Sequence, residues 1–216
     1  LLESEPALLN QEQQKAVDRI NSSLDKGESM IRNILNIEKE EINTRSINLE
    51  EIDLLQLLKG VIEDHEVKAA KKEIDIHFAH PVDMLLVITD SQLMKRVMDN
   101  LLSNAIKFSQ PGKNIFVEVR EQAQHILVSV RDEGPGIEAD EMKALFSKYG
   151  KTSVLPTAGE ASTGLGLSIV KQLTGLHGGT VHAESAYEGK GASFIVSLPL
   201  APVIDGRLDD RAWRNV

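Results

Sequence analysis

The sequence predicts an α/β (α+β) two-layer sandwich, a mixed sheet covered on one face by helices and preceded by one long helix. Three observations predict it. Strand-like runs of alternating or continuous apolar residues recur between Ile74 and Leu198. Helical stretches that start at capping residues or glycines separate them. A hydrophobic content of 41% over 216 residues suffices for one good core, with length left for an appendage.

Taken in order, residues Gln11 to about Ile42 read as a helix. Val17, Ile20, Leu24, Ile31 and Ile34 fall at alternating three-and-four spacing, interrupted at Gly27, which makes an interface stripe. After a break over Asn43 to Ser46, Ile47 to Ile52 forms a first strand, and Asp53 caps a helix running to about Lys71. Ile74 to Phe78 alternates as a half-buried strand. Leu85 to Thr89 is a short apolar strand ending at Asp90, the cap of the next helix. Ile115 to Val119 and Ile126 to Val130, joined by a polar turn, form a hairpin. A short helix near Ala139 to Leu145 leads into Ser147 to Thr163, too long and polar for a buried connection and so read as a mobile lid. A helix from Leu165 stops at His177-Gly178-Gly179, and two strands follow, Thr180 to Ala186 and Ala192 to Leu198. Pro199 to Val216, with its single Trp213, reads as a tail or linker.

Composition excludes several classes of function. A net charge of −9 with no basic stripe argues against sequence-independent nucleic-acid binding. With 0 cysteines the chain has no disulfide framework and no thiolate metal site, a state compatible with a reducing cytoplasm. No apolar run approaches the ~20 residues that span a bilayer, so no membrane contact is expected from this piece. The start Leu1-Leu2-Glu3, without an initiator methionine, reads as the edge of a fragment and leaves room for a membrane anchor upstream.

Three segments carry chemistry. In Asn100-Leu101-Leu102-Ser103-Asn104-Ala105-Ile106-Lys107, Asn100 and Asn104 share a helix face with Lys107 one turn on. Amide oxygens are neutral hard ligands suited to a hydrated Mg²⁺, and an ammonium is a point charge for phosphate. In Asp132-Glu133-Gly134-Pro135-Gly136-Ile137, a strand ends at a carboxylate able to accept from the exocyclic amine of a base. The glycines after it let a flat ring approach the backbone. In Ser162-Thr163-Gly164-Leu165-Gly166-Leu167, glycines open a helix whose amides and dipole suit a polyphosphate. Gly150-Lys151-Thr152 is no Walker loop, since Leu145 stands where its first glycine belongs. Nor is Gly164-Leu165-Gly166 a dinucleotide fingerprint, since Ile169 fills the third small position.

In this order the segments resemble the N, G1 and G2 boxes of the histidine-kinase catalytic domain, in the superfamily that includes gyrase, Hsp90 and MutL. Phe146 and the stretch after it resemble the F box and ATP lid, and the likeness covers about Leu49 to Leu198. Singly, each segment is commonly structural, a glycine pair being a turn and a helix Asn a cap. Three in series point to a site. The resemblance implies a histidine-kinase ATPase-like fold that binds ATP with Mg²⁺. Asp132, with Gly134, Gly136 and Ile137, would hold adenine, and Phe108 would pack beside the base. Asn104 first and Asn100 second would contact the metal. Lys107 would meet phosphate, as would Thr163, Gly164, Leu165, Gly166 and Leu167, and Phe146, Lys148 and Lys151 would belong to the closing lid.

By the same resemblance, residues 1–46 would be part of a dimerisation hairpin, 47–198 the catalytic domain and 199–216 a tail. The implied partners are ATP and ADP, a response-regulator receiver domain and a second copy of the chain, in the cytoplasm. None of His65, His77, His80, His125, His177 and His182 has both the acid and the proline of the family's phosphoacceptor box, His65 being followed by Glu66 but by no proline, so the acceptor is expected upstream or absent. His177 is read as a helix cap. The leading function is therefore the catalytic region of a sensor histidine kinase. The alternatives are a superfamily ATPase, disfavoured because Asn100 stands where a water-orienting Glu belongs, and a nucleotide-binding pseudokinase.

Overall fold

The computed structural model describes residues 10–17, 19–20, 23–24, 27, 47–148, 150, 153–154, 156–157, 160, 164–185, 191–200, 203–204 and 207–208. The chain divides into two compact units, Leu1–Asn43 and Thr44–Val216. In the first, every described residue from 11 to 27 is helical. Asn10 and Gln13 cap its start reciprocally, each side-chain oxygen accepting from the other's backbone N–H at 2.9 and 3.0 Å. Ile20 and Leu24 of the expected stripe are exposed. The continuation to Ile42 lies outside the described residues.

The second unit runs β1 (Glu50–Asp53), α1 (Leu54–Ala70), β2 (Asp75–Ala79), β3 (Leu86–Thr89), α2 (Ser91–Phe108), β4 (Asn114–Gln122), β5 (His125–Asp132), α3 (Gly166–Leu176), β6 (Thr180–Ser185) and β7 (Ala192–Pro199). Two short strands, β8 (Val203–Ile204) and β9 (Arg207–Leu208), pair with each other in the stretch expected to be a tail. The main sheet has the order β2-β4-β5-β7-β6. It is mixed, because β2 runs parallel to β4 while the other pairs are antiparallel.

Alternation places the core. Ile115, Val117 and Val119 of β4, Ile126, Val128 and Val130 of β5, and Phe194, Val196 and Leu198 of β7 are buried on one face. The helices supply the opposing apolar stripes, and α2 packs against both α1 and α3. Both capping aspartates expected from sequence act as such. Asp53 Oδ1 accepts from Leu55 N at 3.1 Å, and Asp90 Oδ1 accepts from Gln92 N and Leu93 N at 3.1 and 3.0 Å. Each such cap stabilises its helix by about 1 kcal/mol.

Two details depart from the sequence reading. The strands β1 and β3 pair only with each other, as an antiparallel ribbon outside the main sheet. Residues 139–148 form successive turns, where a short helix near Ala139 to Leu145 was expected. Ala144 N bonds Glu141 O and Ser147 N bonds Ala144 O, both at 3.0 Å, closures three residues apart that do not build a helical ladder. Only Leu145 of that segment is buried, so it lacks the apolar stripe that sustains a helix. No helix among the described residues is long and apolar enough to cross a membrane.

Candidate functional site

The site is assembled around α2. Met94, Val97, Met98, Leu101, Leu102 and Ala105 repeat at three-and-four spacing, and all are 0% exposed. Driving that stripe into the core leaves Asn100, Asn104 and Lys107 as a neighbouring, half-buried stripe at its edge. Asn100 Nδ2 donates to Arg96 O at 2.8 Å, which ties its amide down. The mouth of α3 lies against the same face. A β-carbon built on Gly166 would stand 3.0 Å from Asn100 Oδ1 and 3.8 Å from Asn104 Nδ2, so a larger residue there would push on the Asn100 amide. The first and third segments thus meet.

The second segment joins at the other end of α2. A β-carbon on Gly134 would stand 2.8 Å from Asp132 Oδ1 and 3.0 Å from Phe108 O, a space only glycine fits. Asp132 closes β5 and is 4% exposed. Its Oδ1 accepts from Gly134 N at 2.8 Å and from Ala192 N at 3.2 Å. Among the described residues nothing bonds Oδ2, which leaves that oxygen for a ligand. Burial raises the Asp132 pKa above the ordinary carboxylate value, against the two backbone N–H donors and the charge of Arg131. The adjacent acid behaves differently. Glu133 Oε2 accepts from Asn114 N and Nδ2 at 2.9 and 3.1 Å, bonds that hold its pKa below the usual range and turn it toward β4.

Gly136 and Gly164 adopt φ of +85° and +69°, which a side chain would strain. Ile137 N donates to Ser185 Oγ at 3.4 Å. Unlike α1 and α2, α3 starts at Leu165 without a side-chain cap, so its first-turn amides remain for an anion. Leu165 is buried and contributes backbone alone, while Leu167 is half-buried. Lys107 is half-buried, and its pKa is lowered chiefly by that burial, with Glu160 opposing and Lys68 adding to the shift. Phe146 is half-buried and Lys148 exposed. Lys151 and Thr163 lie outside the described residues.

Several participants escape sequence reasoning. Lys72 of the α1–β2 connection donates to Ile106 O and Lys107 O at 2.7 and 3.1 Å and to Glu160 Oε1 at 2.8 Å. Thr157 N donates to Lys107 O at 3.0 Å, and its Oγ1 lies 3.1 Å from Lys107 O and 2.8 Å from Ser109 O. The one signal for these contacts is that a helix ends at Phe108 with carbonyls that need donors. His177 caps α3 as expected, with Nδ1 2.8 Å from Leu173 O. Its Nε2 also accepts from Asp90 N at 3.3 Å, joining the end of α3 to the start of α2.

Among the described residues no group of three or more His, Cys, Asp or Glu could hold a metal. The donors at the α2–α3 junction are amides. Neutral amide oxygens fit Mg²⁺ that takes its remaining ligands from water and phosphate, so Asn100 and Asn104 suit that ion.

Comparison with known proteins gives the family and the fold. Residues 89–202 match the family described as histidine kinase-, DNA gyrase B-, and HSP90-like ATPase. Hybrid signal transduction histidine kinase D of Dictyostelium discoideum is 31% identical over 184 residues, which cover 83% of this chain and 12% of that protein. Among solved structures, full-length ShkA in complex with AMPPNP is similar with a TM-score of 0.74 and 25% identity, over 93% of this chain and 41% of that one. Histidine kinase ThkA in complex with response regulator protein TrrA is similar with a TM-score of 0.72 and 28% identity, over 90% and 54%. The chain spans only part of each relative.

Proposed function

The chain belongs to the histidine kinase-, DNA gyrase B- and HSP90-like ATPase family and carries a histidine-kinase-type ATPase domain, and on that premise we propose that it is the catalytic region of a sensor histidine kinase, binding Mg-ATP along α2. One observation carries the reading: all three motif segments converge on a single helix, Gly166 against Asn100 and Asn104 and Gly134 against Phe108 and Asp132. Asp132 Oδ2 accepts the adenine amine, Gly134, Gly136 and Ile137 line the base, and Phe108 packs beside it. The phosphates run toward Lys107 and the uncapped amides of α3, with Thr163, Gly164, Leu165, Gly166 and Leu167 around them. Asn104 and Asn100 hold the Mg²⁺, which when bound neutralises phosphate charge. Phe146, Lys148 and Lys151 belong to the lid over the nucleotide.

In the reaction the bond from γ-phosphorus to the β,γ-bridging oxygen breaks and a bond to an imidazole nitrogen forms. This chain contributes positioning and charge. The acceptor is a histidine other than the six here, and the phosphoryl group then passes to a response-regulator aspartate. Residues 1–46 act as part of a dimerisation hairpin and 47–198 as the catalytic domain. The exposure of Ile20 and Leu24 supports pairing with a second copy. The presence of Asn100, an amide with no basic oxygen for water, favours transfer over hydrolysis. Calorimetric titration with ATP and GTP, with and without Mg²⁺, tests the reading. Binding of ATP in preference to GTP supports it, and equal binding of the two refutes it.

A further inference from the structure

The carboxylate assigned to adenine sits where the β-ladder runs out. Asp132 is the last paired residue of β5, opposite Ile115 of β4, and both are buried on the helix side of the sheet. Alternation then puts Arg131 and Glu133, and with them Asn114 and Phe116, on the other face. There β4 pins both neighbours of Asp132. The Arg131 guanidinium lies over the Phe116 ring, 4.0 Å from its centre. Glu133 Oε2 accepts from Asn114 N and Nδ2 at 2.9 and 3.1 Å. One residue of β2 touches both pins. His77 stacks on Phe116, with ring centres 5.1 Å and planes 23° apart, and its Nε2 lies 2.9 Å from Asn114 Oδ1. The Asn114 Nδ2 group faces a carboxylate and must donate, so Oδ1 is the acceptor and His77 Nε2 the donor.

We propose that His77, Asn114 and Glu133 are positioning residues for the base: a hydrogen-bonded chain on the face of the sheet away from the helices fixes the turn after β5 and so aims Asp132 Oδ2 at the adenine. This rests on the nucleotide reading above. Glu133 is the first residue past the ladder, where pairing no longer sets the path of the backbone. The next residue, Gly134, gives its N–H to Asp132 Oδ1 at 2.8 Å, so a shift at Glu133 is carried to the carboxylate itself. Without the chain of bonds the turn must be ordered when the base arrives, and that ordering is drawn from affinity.

The test is calorimetry of the 216-residue chain with adenosine, which lacks phosphates, alongside hydrogen exchange at the Gly134 amide. Glu133→Ala removes the acceptor of both Asn114 bonds. It is expected to weaken adenosine about 5-fold, the equilibrium worth of one hydrogen bond, and to speed Gly134 exchange. Glu133→Gln keeps an oxygen for Asn114 and should retain the parent affinity. His77→Phe keeps a ring on Phe116 but loses the N–H to Asn114. It should weaken adenosine less, and no further when combined with Glu133→Ala, since residues of one network do not add. If Glu133→Ala fails to fold, His77→Phe decides alone. Adenosine affinity unmoved in the folded variants overturns the proposal. So does Glu133→Gln as weak as Glu133→Ala, which would make the charge and not the bond the cause, and so does an additive double variant. A parent chain that binds no adenosine overturns the nucleotide reading and this proposal with it, whereas a parent that binds beside unmoved variants overturns the proposal alone.

Discussion

Replacing Asp132 with asparagine separates the two jobs of its carboxyl group. Oδ1 is held by Gly134 N and Ala192 N at 2.8 and 3.2 Å, and an amide oxygen can accept both bonds unchanged. Oδ2 faces the proposed adenine. There the variant presents an NH₂ group to the amine of the base, donor against donor. A hydrogen bond to a charged group is worth about 1.5–3 kcal/mol, so ATP and adenosine should each weaken roughly 10- to 150-fold. Stability should move the other way. Burial raises the folded-state pKa of Asp132 above the unfolded value of 3.8, so its charge opposes folding at higher pH and ceases to do so below that value. Parent stability therefore declines as pH rises through the folded pKa of Asp132, and Asp132→Asn lacks that step. Adenosine affinity of the parent should fall as pH drops through the same raised pKa, at higher pH than an ordinary carboxylate would give. Calorimetry and thermal unfolding across pH read both effects. Unchanged affinity in a folded variant refutes the assignment, and an unfolded variant refutes the claim that Oδ1 bonding is preserved.

Asn104→Ala should abolish most of the Mg²⁺ dependence of ATP binding with the fold intact, and a titration showing the same metal response as the parent would contradict its place beside the ion. Gly134→Ala forces a methyl to within 2.8 Å of Asp132 Oδ1 and 3.0 Å of Phe108 O, so denaturant unfolding should show a loss of about 1–3 kcal/mol together with weaker adenine binding. Incubation with γ-labelled ATP should leave the six histidines of this chain unlabelled, and acid-labile, alkali-stable label on any of them would show that the phosphoacceptor is among them.

What was legible in the sequence was what depends on neighbours along the chain. Asp53 and Asp90 cap their helices within three residues, and the stripe from Met94 to Ala105 is a spacing on one helix, so both could be read directly. The three motif segments were legible because each is a short run, the first setting Asn100, Asn104 and Lys107 on one helix face and the other two marked by the glycines their backbones need. Contacts between distant residues were not. Nothing local pairs Lys72 with Ile106 or with Glu160, and nothing assigns Ala192 N to Asp132, 60 positions earlier. Two adjacent acids at 132 and 133 also look alike in sequence, and only the position of Asn114 across β4 and β5 sets one inward and the other aside. The turns at 139–148 were misread because local helix propensity does not reveal that a single leucine is all the segment buries.

The central claim is that one nucleotide lies along α2, with its base at Asp132 and its phosphates at the mouth of α3. A crystal structure of the chain soaked or grown with a non-hydrolysable ATP analogue and Mg²⁺ tests it most directly. The account predicts the adenine amine against Asp132 Oδ2, metal at the Asn104 and Asn100 amide oxygens, and phosphate at Lys107 and the Gly164–Gly166 amides. A nucleotide bound elsewhere, or one reversed with phosphates beside Asp132, would contradict it.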